Sequence, residues 1–372
     1  MLLSACLFDA DYKCSTIMAS QTLDATVFPI IDSHIHLYAE THIPTLAWTG
    51  DLPQDHPLKR QKSVEDYRAV SERQSNLLGF VFLETDRKSG LGNTDWEDAL
   101  KEVDFLVRIA TGSPVEGEGH VQDDSKLVLG VVPWAPVPAG TTLLAEYVEK
   151  AQKKFSDAGK PNLLKGFRYL VQSRPAGTML RTEFIEGLRW LGEKGLTFDL
   201  GVDARSGGLH QLEEACTMMQ RVYASRSNVK IVINHFCKPD LHLTATQAND
   251  GHPDFLRWKE SIEKMATYPS TYMKLSGWFS ELPPQAEGHP QDIALLVERT
   301  KPWADVVFKA FTPSRILFGS DWPVCGVVGP GEDSWQHWHD LVGAILASQD
   351  ASTQSKKDVW SGTAVRAYNI KI

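Results

Sequence analysis

The chain has 372 residues, 42% of them hydrophobic and 23% charged, with 38 lysines and arginines against 47 acids for a formal net charge of −9. So much apolar content excludes a disordered chain, and the acidic balance argues against nucleic acid or an anionic membrane as a main partner. Five cysteines, odd in number and without a CxxC pair, predict no disulfide framework (Cys6 with Cys14 is the minor exception) and a reducing, cytoplasmic compartment.

Residues 1–24 read as an N-terminal extension, because no basic leader precedes MLLSACLF and Asp9 and Asp11 follow it; Met18 offers a second start. The first strand is VFPIIDSHIH (27–36), followed by a proline-bearing stretch over 37–76 that reads as loop. LLGFVFLE (77–84) is a second strand, and apolar spacing of three and four predicts a helix over 94–110. KLVLGVVPW (126–134), a helix over 142–155, LLKGFRYL (163–170) and a helix over 181–194 continue the alternation. Residues 127–145 carry no charge, but Pro133, Pro136 and Pro138 exclude a membrane span there.

The second half supplies LTFDLGVD (196–203), a helix over 209–224 and VKIVINHF (229–236). A loop-like stretch (238–253) and a helix over 254–266 come next. TYMKLSGW (271–278), a further loop (279–292) and SRILFGSDW (314–322) end the series. The helical segment over 353–370 either covers the bottom of the fold or joins a second copy, so a homo-oligomer stays open.

Eight apolar strands alternating with amphipathic helices specify an α/β fold with a parallel sheet covered by helices. Closure as a single (β/α)8 TIM barrel over residues 25–372 removes both sheet edges. A doubly wound open sheet is the runner-up, weakened because no glycine-rich phosphate loop follows the first strand. The long loops after strands one, six and seven fall on the face where barrels carry active sites.

His34 and His36 close the first strand at i, i+2, so both imidazoles share one face and can address one ion. A half-buried, satisfied histidine pair is the bland alternative. His337 and His339 repeat the spacing on a predicted helix, where such residues diverge, and are set aside. His235 closes strand six and Asp321 strand eight. Each alone reads first as structural, and Asp321 as a helix cap; together they are a candidate mononuclear metal constellation at strand ends. Arg168, Lys238, Lys274 and Glu84, at or just past strand ends, are candidates for orienting substrate. Trp134, Trp278 and Trp322, with Tyr38 and Trp48, suit stacking on a sugar ring or packing at the mouth.

The HxH of strand one, HFCKP after strand six, KLSG on strand seven and GSDWP on strand eight resemble the amidohydrolase superfamily. The resemblance is to its branch of sugar-acid lactonases and pyrone-dicarboxylate lactonases, and spans about residues 27 to 370. It implies a TIM barrel that opens a small lactone. By position, His34 and His36 resemble the family's metal pair, His235 its metal-binding or carbonyl-polarising histidine, and Asp321 its general base. One divalent metal, zinc first, is implied, although some relatives work without metal. Strand four offers Lys165 and Arg168, and strand five Asp199 and Asp203 rather than histidine, which argues against a binuclear site. A metal-dependent decarboxylase of an aromatic acid and a non-catalytic barrel are the alternatives; the missing fifth-strand histidine counts against the first, and the presence of all four site residues against the second.

Overall fold

Each apolar run contains a strand, and each strand is shorter than its run. The computed structural model describes residues 27–372; the 1–24 extension, with Cys6, Cys14 and Met18, lies outside them. The strands are β1 (Ile30–Ile35), β2 (Leu77–Leu83), β3 (Val128–Val132), β4 (Gly166–Arg168), β5 (Thr197–Leu200), β6 (Ile231–Ile233), β7 (Thr271–Leu275) and β8 (Ile316–Phe318). The trimmed residues leave the ladder at the carboxyl ends, where His36, Glu84, Trp134, His235 and Asp321 enter loops.

All pairings are parallel, β1–β2–β3 in one sheet and β4 to β8 in chain order in a second. Isolated parallel bridges join the sheets at both margins: Val131 with Leu164, Trp134 with Arg168, and Ile35 with Trp322. Backbone bonds Lys165 N to Val131 O (2.9 Å) and Asp321 N to His34 O (2.9 Å) run along these margins. Gly166 is required where β4 meets β5, since a Cβ there would collide with the Thr197 backbone.

The connecting helices are α1 (Val64–Ser71), α2 (Glu97–Thr111), α3 (Thr141–Asp157), α4 (Thr182–Glu193), α5 (His210–Ala224), α6 (Ala245–Asn249), α7 (Pro253–Ala266) and α8 (Ile293–Phe311). After β8 come α9 (Cys325–Val328), α10 (Ser334–Ser348), α11 (Thr353–Lys357) and α12 (Thr363–Tyr368). The amphipathic pattern acts as expected: α2 buries Ala99, Val103, Leu106 and Ala110 and stops at left-handed Gly112. Two stretches expected as loop contain helix. α1 starts where the Ser63 amide donates to Asp66 (2.9 Å), and α6 where the Thr244 hydroxyl caps Gln247 (3.2 Å).

Side chains on one face of the strands pack against the helices. Those on the other face, including Ile31, Val81, Leu83, Val132, Val232 and Leu317, pack together with Ala364, Ala367 and Tyr368 of the C-terminal segment. Lys165 and Lys230, just ahead of β4 and β6, also donate to the Asn369 carbonyl and amide oxygens. The segment therefore sits at the amino ends of the strands, opposite the predicted site.

Asp32, fully buried in β1, ties this strand to the end of β8. Its Oδ1 accepts from the Ser320 amide (2.8 Å), and its Oδ2 from Tyr67 Oη (3.0 Å) and Trp335 Nε1 (2.9 Å). Burial raises its carboxyl against the pull of these donors. Asp32→Ala should leave these three buried donors and the His34 amide (3.3 Å from Oδ1) without the carboxylate and cost about 3 kcal/mol or more, at about 1–3 kcal/mol each. Denaturant unfolding that shifts by under about 1 kcal/mol would remove Asp32 from this role.

Candidate metal and active site

His34 lies inside β1 and His36 one residue beyond it, so the pleat puts both imidazoles on one face. Their Nε2 atoms are 3.2 Å apart. Asp321 Oδ1 lies 3.4 Å from His34 Nε2, 3.6 Å from His36 Nε2 and 3.6 Å from His235 Nε2.

The backbone delivers His235 and Asp321 by conformations that side-chain-bearing residues avoid. His235, Phe236, Cys237 and Lys238 have φ of 55°, 52°, 61° and 49°, and Asp321 has φ of 62°. A left-handed conformation costs roughly 1–2 kcal/mol per non-glycine residue, so the surroundings must impose it. They do so with hydrogen bonds. Trp258 Nε1 donates to the Phe236 carbonyl (2.8 Å), and the Ala204 and Arg205 amides to those of Cys237 (3.0 Å) and Lys238 (3.1 Å). Asp321 is pinned through its amide to His34, and a cis Trp322–Pro323 bond follows it. Gly277 and Gly319 leave the room: a Cβ at either would run into the His235 ring or His34 Cβ.

The far ring nitrogens are also held. His36 Nδ1 lies 2.8 Å from the Glu84 carbonyl oxygen, which can only accept, so Nδ1 carries the proton and Nε2 offers its lone pair to the site. His235 Nδ1 meets Ser276 Oγ at 2.8 Å, and His34 Nδ1 meets Lys274 Nζ at 3.2 Å. Burial pushes His34 well down and His235 to about 3, so both are neutral at neutral pH. Burial opposes ionisation of Asp321, yet His235 and His36 outweigh it and hold the carboxylate low. His36 Nε2 thus offers a lone pair, whereas His34, whose Nδ1 accepts from the Lys274 ammonium, would release its Nε2 proton on binding an ion.

His34, His235 and Asp321 present ligand atoms within 4.8 Å of one another, and His36 adds a fourth close to two of them. Ligands of a tetrahedral zinc at about 2.0–2.1 Å stand about 3.3 Å apart, and these four separations of 3.2 to 3.6 Å bracket that spacing. The donor set fits a divalent ion of this kind. Strand five adds no histidine: Asp199 turns away to Lys274 (2.6 Å) and Tyr368 (2.9 Å).

His36, His235 and Asp321 line a cavity of about 360 Å³ together with Glu84, Arg168 and Lys238. Glu84 Oε1 and Arg168 Nε are buried without a hydrogen-bond partner, and Arg168 Nη1 stands 3.7 Å from that oxygen. Burial lifts the Glu84 carboxyl to about 8 despite Arg168. Lys238 stands 3.8 Å from both Asp203 and Glu281. Tyr38 and Trp48 form a wall, as the first long stretch suggested, and Thr85, Asp86 and Gln172 join them.

Other predicted residues lie elsewhere. Lys274 is a correction: it is fully buried beneath His34 and paired with Asp199, so it cannot meet substrate. Trp134 turns aside onto Tyr147 (ring centroids 5.2 Å), and Trp322 packs on Tyr67 (5.5 Å); neither lines the cavity. Trp278 is core, against Phe236 and Trp338. His337 and His339 diverge on α10 as expected, onto Phe279 and Trp335. Asp86 escaped the sequence reading; its signal is a second acid two residues past Glu84 at the same strand end.

Residues 31–370 match the amidohydrolase family model, and the chain belongs to that family. It is 34% identical to an L-rhamnono-gamma-lactonase from Scheffersomyces stipitis, over 92% of this chain and 99% of that protein. It is 26% identical to an L-fucono-1,5-lactonase from Burkholderia multivorans, over 55% of this chain and 62% of that protein. Among solved structures, an amidohydrolase from Burkholderia multivorans with bound zinc superposes with a TM-score of 0.66 at 24% identity, covering 92% of this chain and 100% of that one. A 2,6-dihydroxybenzoate decarboxylase from Rhizobium shares the fold at a TM-score of 0.54 and 11% identity, over 92% of this chain and 99% of that one.

If the four side chains act as one donor set, the purified protein should take up about one zinc per chain in a calorimetric titration. His34→Ala should weaken that binding by at least about 10-fold. Unchanged uptake in the variant would separate His34 from the ion.

Proposed function

We propose that this amidohydrolase-family protein hydrolyses the ring ester of a small sugar-acid lactone, an aldono-lactone such as an L-rhamnono- or L-fucono-lactone. The observation that carries the reading is Asp321: a carboxylate held ionised at the focus of three imidazoles, on the wall of a cavity of about 360 Å³. The two lactonase relatives supply the substrate class. The bridges at both sheet margins support a closed (β/α)8 barrel over residues 25–372, with the site at its carboxyl-terminal mouth.

Ester hydrolysis needs a water nucleophile, a base, and positive charge or donors where the oxyanion forms. Asp321 accepts a proton from water as the water oxygen attacks the lactone carbonyl carbon. The ring C–O bond then breaks, and Asp321 returns the proton to the departing ring oxygen, giving a hydroxy acid. His235 faces the carbonyl oxygen from the opposite loop and steadies its developing charge. A zinc ion, held by His34, His36, His235 and Asp321, would polarise the carbonyl and acidify the water. Without one, His34 and His235 must act as hydrogen-bond donors, since His36 holds its proton on Nδ1.

Glu84 and Arg168 hold the sugar. Each has a buried, unpartnered polar atom, and an acceptor beside a donor suits neighbouring hydroxyls of a polyol. Lys238, between two acids, adds a further donor at the rim. No helix among the described residues is long and apolar enough to cross a membrane. Cys216, Cys237 and Cys325 are free and buried, in keeping with a reducing cytoplasm.

The direct test follows proton release from a panel of aldono-lactones, with zinc and after chelation; a flat trace across the panel sinks the reading. Asp321→Asn should lower kcat by about 10²–10⁴-fold while the protein stays folded. Glu84→Gln or Arg168→Met should act chiefly on KM, raising it about 10-fold or more for each hydrogen bond lost at roughly 1.5 kcal/mol. Wild-type turnover in the Asp321 variant would rule it out as the base.

A further inference from the structure

The chain leaves β2 through a left-handed residue. Asp86, two positions past Glu84, has φ of 53°. Its amide donates to the Glu84 carboxylate, and its carbonyl accepts from the Ala47 amide at 2.8 Å. The turn sets Asp86 on the wall of the catalytic cavity and also on that of a second, outer pocket of about 420 Å³. Trp48 and Ser173 border both spaces too, and Lys88 and Arg174 line the outer one. Asp86 therefore stands where the two adjoin.

Its backbone is satisfied and its side chain is not. Among the described residues no donor pairs with the Asp86 carboxylate. Burial raises its pKa, against the charges of Arg174 in the outer pocket and Arg168 in the inner cavity. Arg174 is laid over the Tyr169 ring, 5.4 Å from its centre, and Trp48 Nε1 donates to the Thr85 carbonyl at 2.8 Å. The indole thus has no donor left for Asp86. A half-buried acceptor without a partner is a place for a donor brought by a ligand.

The proposed reaction leaves one part of its substrate unattended. In an aldono-γ-lactone the carbonyl carbon and ring oxygen belong to Asp321 and His235, and the two ring hydroxyls to Glu84 and Arg168. What remains is the exocyclic arm on the carbon that bears the ring oxygen. Its first hydroxyl is a donor in need of an acceptor, and Asp86, next beyond Glu84 along the same wall, offers one.

We propose that Asp86 is a specificity-determining residue: its carboxylate accepts from a hydroxyl on the exocyclic arm of the lactone, and the outer pocket between Trp48 and Arg174 receives the rest of that arm. This rests on the lactonase reading and deepens it, by favouring a ring with a hydroxylated arm over a bare ring.

The experiment compares kcat/KM of the full chain for two substrates. L-Rhamnono-γ-lactone carries a hydroxylated arm; erythrono-γ-lactone keeps two ring hydroxyls and has no exocyclic carbon. Asp86→Gly removes the carboxylate, and glycine adopts the left-handed φ freely. It should lower the ratio of the two values, armed over bare, by about 10-fold or more, as loss of a hydrogen bond to a charged acceptor requires. Ser173→Trp, on an exposed residue, fills the junction of the two spaces and should lower the ratio in the same direction. Both values come from one sample, so the ratio does not depend on how much of a variant is folded. A parent-like ratio in either variant overturns the proposal, as does a parent that opens both lactones equally well. A parent that opens neither defeats the lactonase reading, and the role of Asp86 with it.

Discussion

Three imidazoles and a carboxylate cannot share so small a buried space unless something outside them forces the approach. Here the force is backbone geometry. β1 supplies two rings by simple alternation, and the other two groups arrive on left-handed turns whose strain is balanced by hydrogen bonds from α7, from the loop after β5 and from β1 itself. Gly277 and Gly319 matter for the same reason, because each vacates the volume that a histidine then fills. The cavity, the burial that keeps His34 and His235 neutral, and the low pKa of Asp321 all depend on that forced approach.

Much of this was legible. Period-two alternation with apolar flanks identified His34 and His36 as partners, and placement at strand ends singled out Glu84, Arg168, His235 and Asp321. The same argument misplaced Lys274, because it lies within β7 rather than beyond it, and its neighbours Asp199 and Tyr368 become visible only once β5 and the C-terminal segment are folded beside it. Trp134 and Trp322 failed for a related reason: nearness to a strand end does not say which way a ring turns, and Tyr147 and Tyr67 attract them elsewhere. The left-handed run at His235–Lys238 was illegible in principle. Positive φ is announced by glycine, and Asn-His-Phe-Cys-Lys-Pro contains none.

The two ends of the strands divide the work. The carboxyl ends hold polar groups whose partners are incomplete, as at Glu84 and Arg168, and unsatisfied polarity there is capacity to receive a ligand. The amino ends are closed by α12 and its polar contacts, where each group is satisfied. Rigidity below therefore supports openness above, and the His34 ring lies at the boundary, one nitrogen facing each region.

The bond between Asp32 of β1 and the Ser320 amide spans 288 positions of the chain. At roughly 5–20 residues per second on the ribosome, β1 waits on the order of 15–60 s for that partner to be made. During this time its first-strand histidines have no carboxylate, and one edge of the growing sheet lies open to other chains. An acid-bearing first strand that cannot pair early is a kinetic exposure as well as a thermodynamic asset. Synthesis rate and chaperone supply, rather than stability of the finished protein, will then govern how much of it reaches the native state.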